Sequence, residues 1–197
     1  MLNNLSLIYP LINSLYSPGC QLSAEELRDA LSEGQLSSKL HLVKTLDNFK
    51  FKEFEEIHHL ACWHGLLSNW LLKNKIVQYK KYKLVDVDSK ALEIAKLVVN
   101  FENVSVINKD IADYTSYSLN SLVINTSCEH TDYKWLGKVP YASVCALQSS
   151  NMLHLDHINA ESSLDSFVFN LKLSKVYSAT EITLYGDVKR FTVVGVK

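Results

Sequence analysis

Arginine is nearly missing from this 197-residue chain, where Arg28 and Arg190 are the only two. The net charge is −1 and the pI about 6.6. Nothing in that balance gives the electrostatic footprint of a nucleic-acid or anionic-membrane binder. Paired cysteines are missing too. Cys20, Cys62, Cys128 and Cys145 are scattered with no CxxC pair, which argues against a disulfide frame or zinc site and predicts reduced, mostly buried thiols in a cytoplasmic protein. No apolar run approaches the ~20 residues that span a bilayer. No basic stretch precedes the first apolar run, so neither secretion nor membrane insertion is expected. With 47% apolar residues, the chain has enough for one core that covers both faces of a sheet.

What is present divides near residue 50. In residues 1–50, Leu5, Ile8, Leu11, Ile12 and Leu15 recur at helical spacing until Ser17-Pro18-Gly19 stops them. Ser23-Ala24-Glu25-Glu26 is a capping box that starts a second helix. A third helix, carrying Leu40, Val43 and Leu46, follows Gly34. The segment reads as an N-terminal helical cap over the rest, with a lid over a ligand as the sharper alternative.

Residues 51–197 alternate short apolar runs with helical segments. The runs are Ile57–Cys62, Lys83–Val87, Val104–Asn108, Leu122–Thr126 and Ser143–Gln148, with helices expected near 66–74, 89–99, 129–137 and 162–170. Such alternation implies parallel strands joined by right-handed crossovers. Lys175–Leu184 and Phe191–Val196 flank Tyr185-Gly186-Asp187 without a helix between them, so they should form an antiparallel hairpin. The fold expected is an α/β, Rossmann-like, doubly wound sheet of seven strands, mostly parallel, ending in that hairpin.

Three motifs in this layout resemble the class I S-adenosylmethionine (SAM)-dependent methyltransferases. Family members often read V-L-D-L-G-C-G-T-G-L-L-S at the first strand and turn. Ile57 to Ser68 aligns without a gap and keeps Leu60, Cys62 and Gly65-Leu66-Leu67-Ser68. Val85-Asp86-Val87-Asp88-Ser89-Lys90-Ala91-Leu92 fits the acid and helix start after strand two, and Asn108-Lys109-Asp110-Ile111 fits the polar turn after strand three. The resemblance implies SAM as cofactor and a site formed by Ala61, Cys62, Trp63, Gly65, Asp86, Asp110, Ile111 and Asn125. Asp86 would hold the ribose diol, while Asp110 and Ile111 would flank adenine. Asp88, just before a helix, reads as its cap.

The departures are equally specific. His59 replaces the family's first-strand acid, and Ala61 and Trp63 replace its first two glycines. Glycine there permits positive φ or close approach of a ligand. Trp63 therefore either turns away and packs or reshapes the pocket.

Methyl transfer in this fold would occur at the carboxyl end of strand four. That end reads Asn125-Thr126-Ser127-Cys128-Glu129-His130 and lacks the N/D-P-P-Y of base-methylating relatives. Candidate catalytic groups are His130, Glu129 and, after strand five, His157. A carboxylate at position 129 also suits a helix N-terminus, and neighbours on a helix point apart, so the adjacent pair is not expected to act as a dyad. Ser127, Tyr133, Gln148, Asn151 and Asn159 are candidates for substrate binding. His154 and His157 with Asp156 or Glu161 imitate a metal site, but their spacing is too loose to argue for one, and no metal is expected. The function expected is methylation of a small polar molecule or a protein side chain. The alternatives are a non-catalytic methyltransferase-like scaffold and an enzyme of another class that reuses the SAM site, for example by degrading SAM.

Overall fold

In the computed structural model, residues 4–17, 22–49, 51 and 53–197 are described; Pro18, Gly19 and Cys20 lie outside them. Three helices come first: α1 (Asn4–Ser14), α2 (Ala24–Ala30) and α3 (Glu33–Asp47). Ser23 and Glu26 form the reciprocal capping box that starts α2, and Ser32 caps α3, so Gly34 falls inside the first turn of α3.

The α/β part follows as β1 (Phe54–Leu60), α4 (Leu66–Lys73), β2 (Tyr79–Asp86), α5 (Ser89–Val98), β3 (Val104–Asn108), β4 (Ser121–Asn125), β5 (Val144–Ser150), α6 (Leu164–Leu171), β6 (Lys175–Tyr185) and β7 (Val188–Val196). The seven strands form one sheet in the order β3-β2-β1-β4-β5-β7-β6. The first five are parallel, and β7 runs antiparallel to both β5 and β6. Strand order reverses between β1 and β4, and at such a switch point an open α/β sheet leaves a crevice beyond its carboxyl ends.

Each face of the sheet has its own core. On one face Leu67, Trp70 and Leu71 of α4 pack with Leu42, Val43 and Leu46 of α3 against Ile57, Leu122 and Val194. A fully buried side chain of this kind contributes roughly 1.5–3 kcal/mol. The N-terminal helices thus cover the same layer as α4 and α5. On the other face Trp135, Phe167 and Leu171 cover Val85, Val123, Leu147 and Val193. Cys62, Cys128 and Cys145 are free and buried. Among the described residues, no helix is long and apolar enough to cross a membrane.

One expected helix is absent. Residues 129–137 form two 3-10 turns, Cys128–His130 and Tyr133–Lys138, separated by extended Thr131. The Glu129 carbonyl, which a continuing helix would use, instead accepts the Asn159 backbone N–H at 3.0 Å. The Asn159 amide also donates to the Thr131 carbonyl at 3.2 Å. A loop from beyond β5 has taken over the hydrogen bonds of the helix.

Candidate functional site

The turn after β1 keeps the backbone of a glycine-rich loop although glycine survives only at position 65. Ala61, Trp63 and Gly65 all have positive φ, at +46°, +48° and +72°. An L-residue held there carries roughly 1–2 kcal/mol of strain, so the surrounding structure must enforce the shape. One enforcing contact is visible: the Trp63 N–H donates to Asp86 Oδ2 at 2.8 Å. Gly65 serves packing. A Cβ on it would meet Val99 at 2.6 Å, so α4 and α5 can approach only over a glycine.

Beyond this turn lies a cavity of about 390 Å³, inside the usual range for small-molecule sites. Ala61, Cys62, Trp63 and Asp86 line it from the β1–β2 side. Ser127, Glu129, His130 and Gln148 line it from the ends of β4 and β5. A second cavity of about 530 Å³ adjoins it, sharing Asp29, Gln35, Glu129, His130 and Arg190 as a common wall and adding His157.

Several polar atoms in these walls lack partners. The side-chain atoms His59 Nε2, Gln148 Oε1 and Glu129 Oε2 are buried with no hydrogen bond among the described residues. Buried polar atoms are nearly always satisfied in native proteins, so a polar ligand is the natural complement to this wall. Asp86 adds capacity: among the described residues its oxygens accept only the N–H groups of Trp63 and Asp88, at 2.8 and 3.0 Å. A carboxylate has about four lone-pair positions, which leaves room for a diol.

The family's first-strand acid is replaced by a neutral group. Burial, reinforced by the charge of Lys39, lowers the His59 pKa to about 3. Its Nδ1 lies 2.5 Å from Ser68 Oγ, which also accepts from the Tyr82 hydroxyl at 2.9 Å. Trp63 neither fills the cavity nor turns wholly inward. Its indole stacks on the His64 ring at 4.3 Å and lies under the Lys39 ammonium at 5.6 Å.

Two cations in the walls escape a sequence reading. Lys39 of α3 is 9% exposed, donates to Gln35 Oε1, and has its pKa lowered to about 7, chiefly by burial. Arg190, also 9% exposed, donates to Glu129 Oε1 at 2.6 Å. Lys39 sits in a helix that otherwise reads as polar on that side. Arg190 is the third residue of β7, and no local pattern links it to Glu129, 61 residues away. Its rarity in this chain was the one available signal.

The helix-terminus reading of Glu129 does not apply, because no α-helix starts there and its carboxylate is paired with Arg190. The argument that Glu129 and His130 point apart also fails: a 3-10 turn brings both to the same cavities. Besides Gly65, six expected site residues line neither cavity. Ile111 is in the core beneath the sheet end, and Asp110 caps a 3-10 turn by accepting the Ala112 N–H. Asn125 is fully buried and accepts the Ser127 N–H. The Tyr133 hydroxyl donates to Glu161 Oε1, and Asn151 anchors the Asp187–Lys189 turn. Asn159, also outside the cavities, acts through the loop that carries His157.

No family model matches this chain, and no curated protein does. Solved structures do match. The N-methyltransferase NodS from Bradyrhizobium japonicum WM9 superposes with a TM-score of 0.67 at 10% identity, covering 85% of this chain and 98% of that one. A putative SAM-dependent methyltransferase from Listeria monocytogenes gives 0.63 at 10% identity, over 82% and 99%. A putative RNA methyltransferase from Pyrococcus horikoshii gives 0.62 at 15% identity, over 100% and 98%. The chain has the class I SAM-dependent methyltransferase fold.

Proposed function

We propose that the protein is a SAM-dependent methyltransferase acting on a small polar molecule or a polar side chain of a protein. The observation that carries this reading is the open cavity between the left-handed 61–65 turn, Asp86 and the end of β4, at the switch point of a methyltransferase fold. An open cleft beside Trp63 does not favour the scaffold alternative, which needs the indole to plug the site.

SAM, when bound, supplies a sulfonium-activated methyl group. On the protein side, the free lone pairs of Asp86 accept the ribose hydroxyls. Val87, next to it and 69% exposed, offers an apolar face to the purine. Lys39, which forms no ion pair among the described residues, faces the ligand's carboxylate. His59 contributes a neutral imidazole where the family has an acid.

The neighbouring cavity holds the acceptor. His130 Nδ1 lies 3.1 Å from the Asp156 carbonyl, and His157 Nδ1 lies 2.7 Å from the Met152 carbonyl. A carbonyl only accepts, so each Nδ1 carries the ring proton and each Nε2 keeps a lone pair able to take a proton from the acceptor. Titration calorimetry with SAM and S-adenosylhomocysteine tests the reading. Saturable binding with one site is expected, and no heat at millimolar ligand would end it. Product analysis after incubation with SAM alone distinguishes transfer from SAM degradation.

A further inference from the structure

We infer that Glu129, His130 and His157 form a binding site for one first-row divalent metal ion at the acceptor end of the cleft. One ligand atom from each of the three lies within 4.8 Å of the others. This departs from the sequence expectation of no metal, and it selects a different set from the His154–His157 pair that the spacing suggested.

Three features of the protein point to a cation. First, both imidazoles are fixed by Nδ1–H bonds to backbone carbonyls, those of Asp156 and Met152. That arrangement commonly orients histidine ligands, leaving Nε2 unprotonated toward the metal. Second, Glu129 is 3% exposed, and its Oε2 is buried without a partner while Arg190 takes only Oε1. A buried carboxylate oxygen with no donor calls for a positive ligand. Third, the loop that delivers His157 is tied to the same turn at two points, through the Asn159 bonds to the Glu129 and Thr131 carbonyls. Those bonds displaced an expected helix to hold the three side chains together.

Two imidazoles and one carboxylate suit Zn²⁺, Fe²⁺, Co²⁺ or Mn²⁺ and leave coordination positions open. Bonds of about 2.1 Å require the ligands to close inward, a movement available to exposed His130 and half-buried His157. The inference builds on the acceptor cavity of the proposed function and replaces its two imidazole bases: with both Nε2 lone pairs on the metal, the cation would bind the acceptor's oxygen or nitrogen directly and make its proton easier to lose to water. Asp29, Glu33 and Asp156 face the same cavity and offset the charge of Arg190.

The test is titration of the chelator-treated full chain with Co²⁺, read by its visible absorption and by calorimetry, beside a separate SAM titration of the same sample. One equivalent should bind. His130→Ala and His157→Ala should each weaken binding by more than about 10-fold, the lower end of what loss of even a supporting contact costs at metal sites. His154→Ala should leave binding unchanged. Because His130 is exposed, its variant tests the site without risk to the core, and circular dichroism checks that each variant is folded. Absence of Co²⁺ binding, or an equal loss in His154→Ala, would overturn the inference. SAM binding without Co²⁺ binding removes only the metal; Co²⁺ binding without SAM binding removes only the methyltransferase reading.

Discussion

Two groups of histidines stand at β1 and beyond β4 and β5, and their surroundings differ in kind. His58, His59 and His64, in or beside β1, are 0%, 1% and 2% exposed. Burial is the main cause that lowers their pKa values to about 4, 3 and 4. His130, His154 and His157, beyond β4 and β5, are reached by solvent. In the second, His130 and His157 have Nδ1 oriented by backbone carbonyls, while His154 Nδ1 accepts the Asp156 N–H. The same residue type is buried in one group and reached by solvent in the other.

Acid should break that contrast with the largest effect. Each buried imidazole is neutral in the folded chain but protonates near pH 6.5 when unfolded. The unfolded state therefore binds more protons between about pH 4 and 6.5, and stability falls as pH drops through that window. The slope is about 1.4 kcal/mol per pH unit for each group. Denaturant melts should show steep loss beginning near pH 6, before carboxylates titrate. A flat profile down to pH 4.5 would refute the assignment.

The region beyond β4 and β5 should be broken by Glu129→Ala. The substitution leaves Arg190 buried without its partner, an effect of about 3–5 kcal/mol, readable as a lower urea midpoint with an unchanged slope. Glu129→Gln should lose less, because it retains a hydrogen-bond acceptor for the guanidinium.

Lys39→Met sharpens the comparison from the cofactor side. Removing a largely buried cation should raise stability by about 1–3 kcal/mol while weakening SAM binding at least 10-fold, a stability–function exchange expected of binding sites. Equal SAM affinity in the variant would remove Lys39 from the site. The smallest effect belongs to Ala61→Gly. Relief of the left-handed backbone should raise the melting temperature by a few degrees, for about 1 kcal/mol.

Much of the fold was legible because its signals are local. The runs at Val104–Asn108 and Lys175–Leu184 carry their strand period within a few residues, and Ser23–Glu26 states its own helix start. The turn after β1 and the helix that follows it were legible through Gly65-Leu66-Leu67-Ser68. The region beyond β4 and β5 was less so. Its residue types were visible, but their partners were not: Arg190 meets Glu129 through the pairing of β5 with β7, and Lys39 reaches the cavity only because α3 lies over the sheet. The missing helix after β4 had the same origin, since the competing hydrogen bonds come from Asn159, about 30 residues later. Local pattern decides elements; long-range contacts decide what the ends of those elements hold.

The left-handed backbone at Trp63 has a genetic side. The tryptophan codon and one of the glycine codons differ by a single base, so relief of that strain is always one point mutation away. A lineage that retains tryptophan there is retaining the indole against an accessible alternative. The ring under Lys39 and beside His64 is what such a lineage would be keeping.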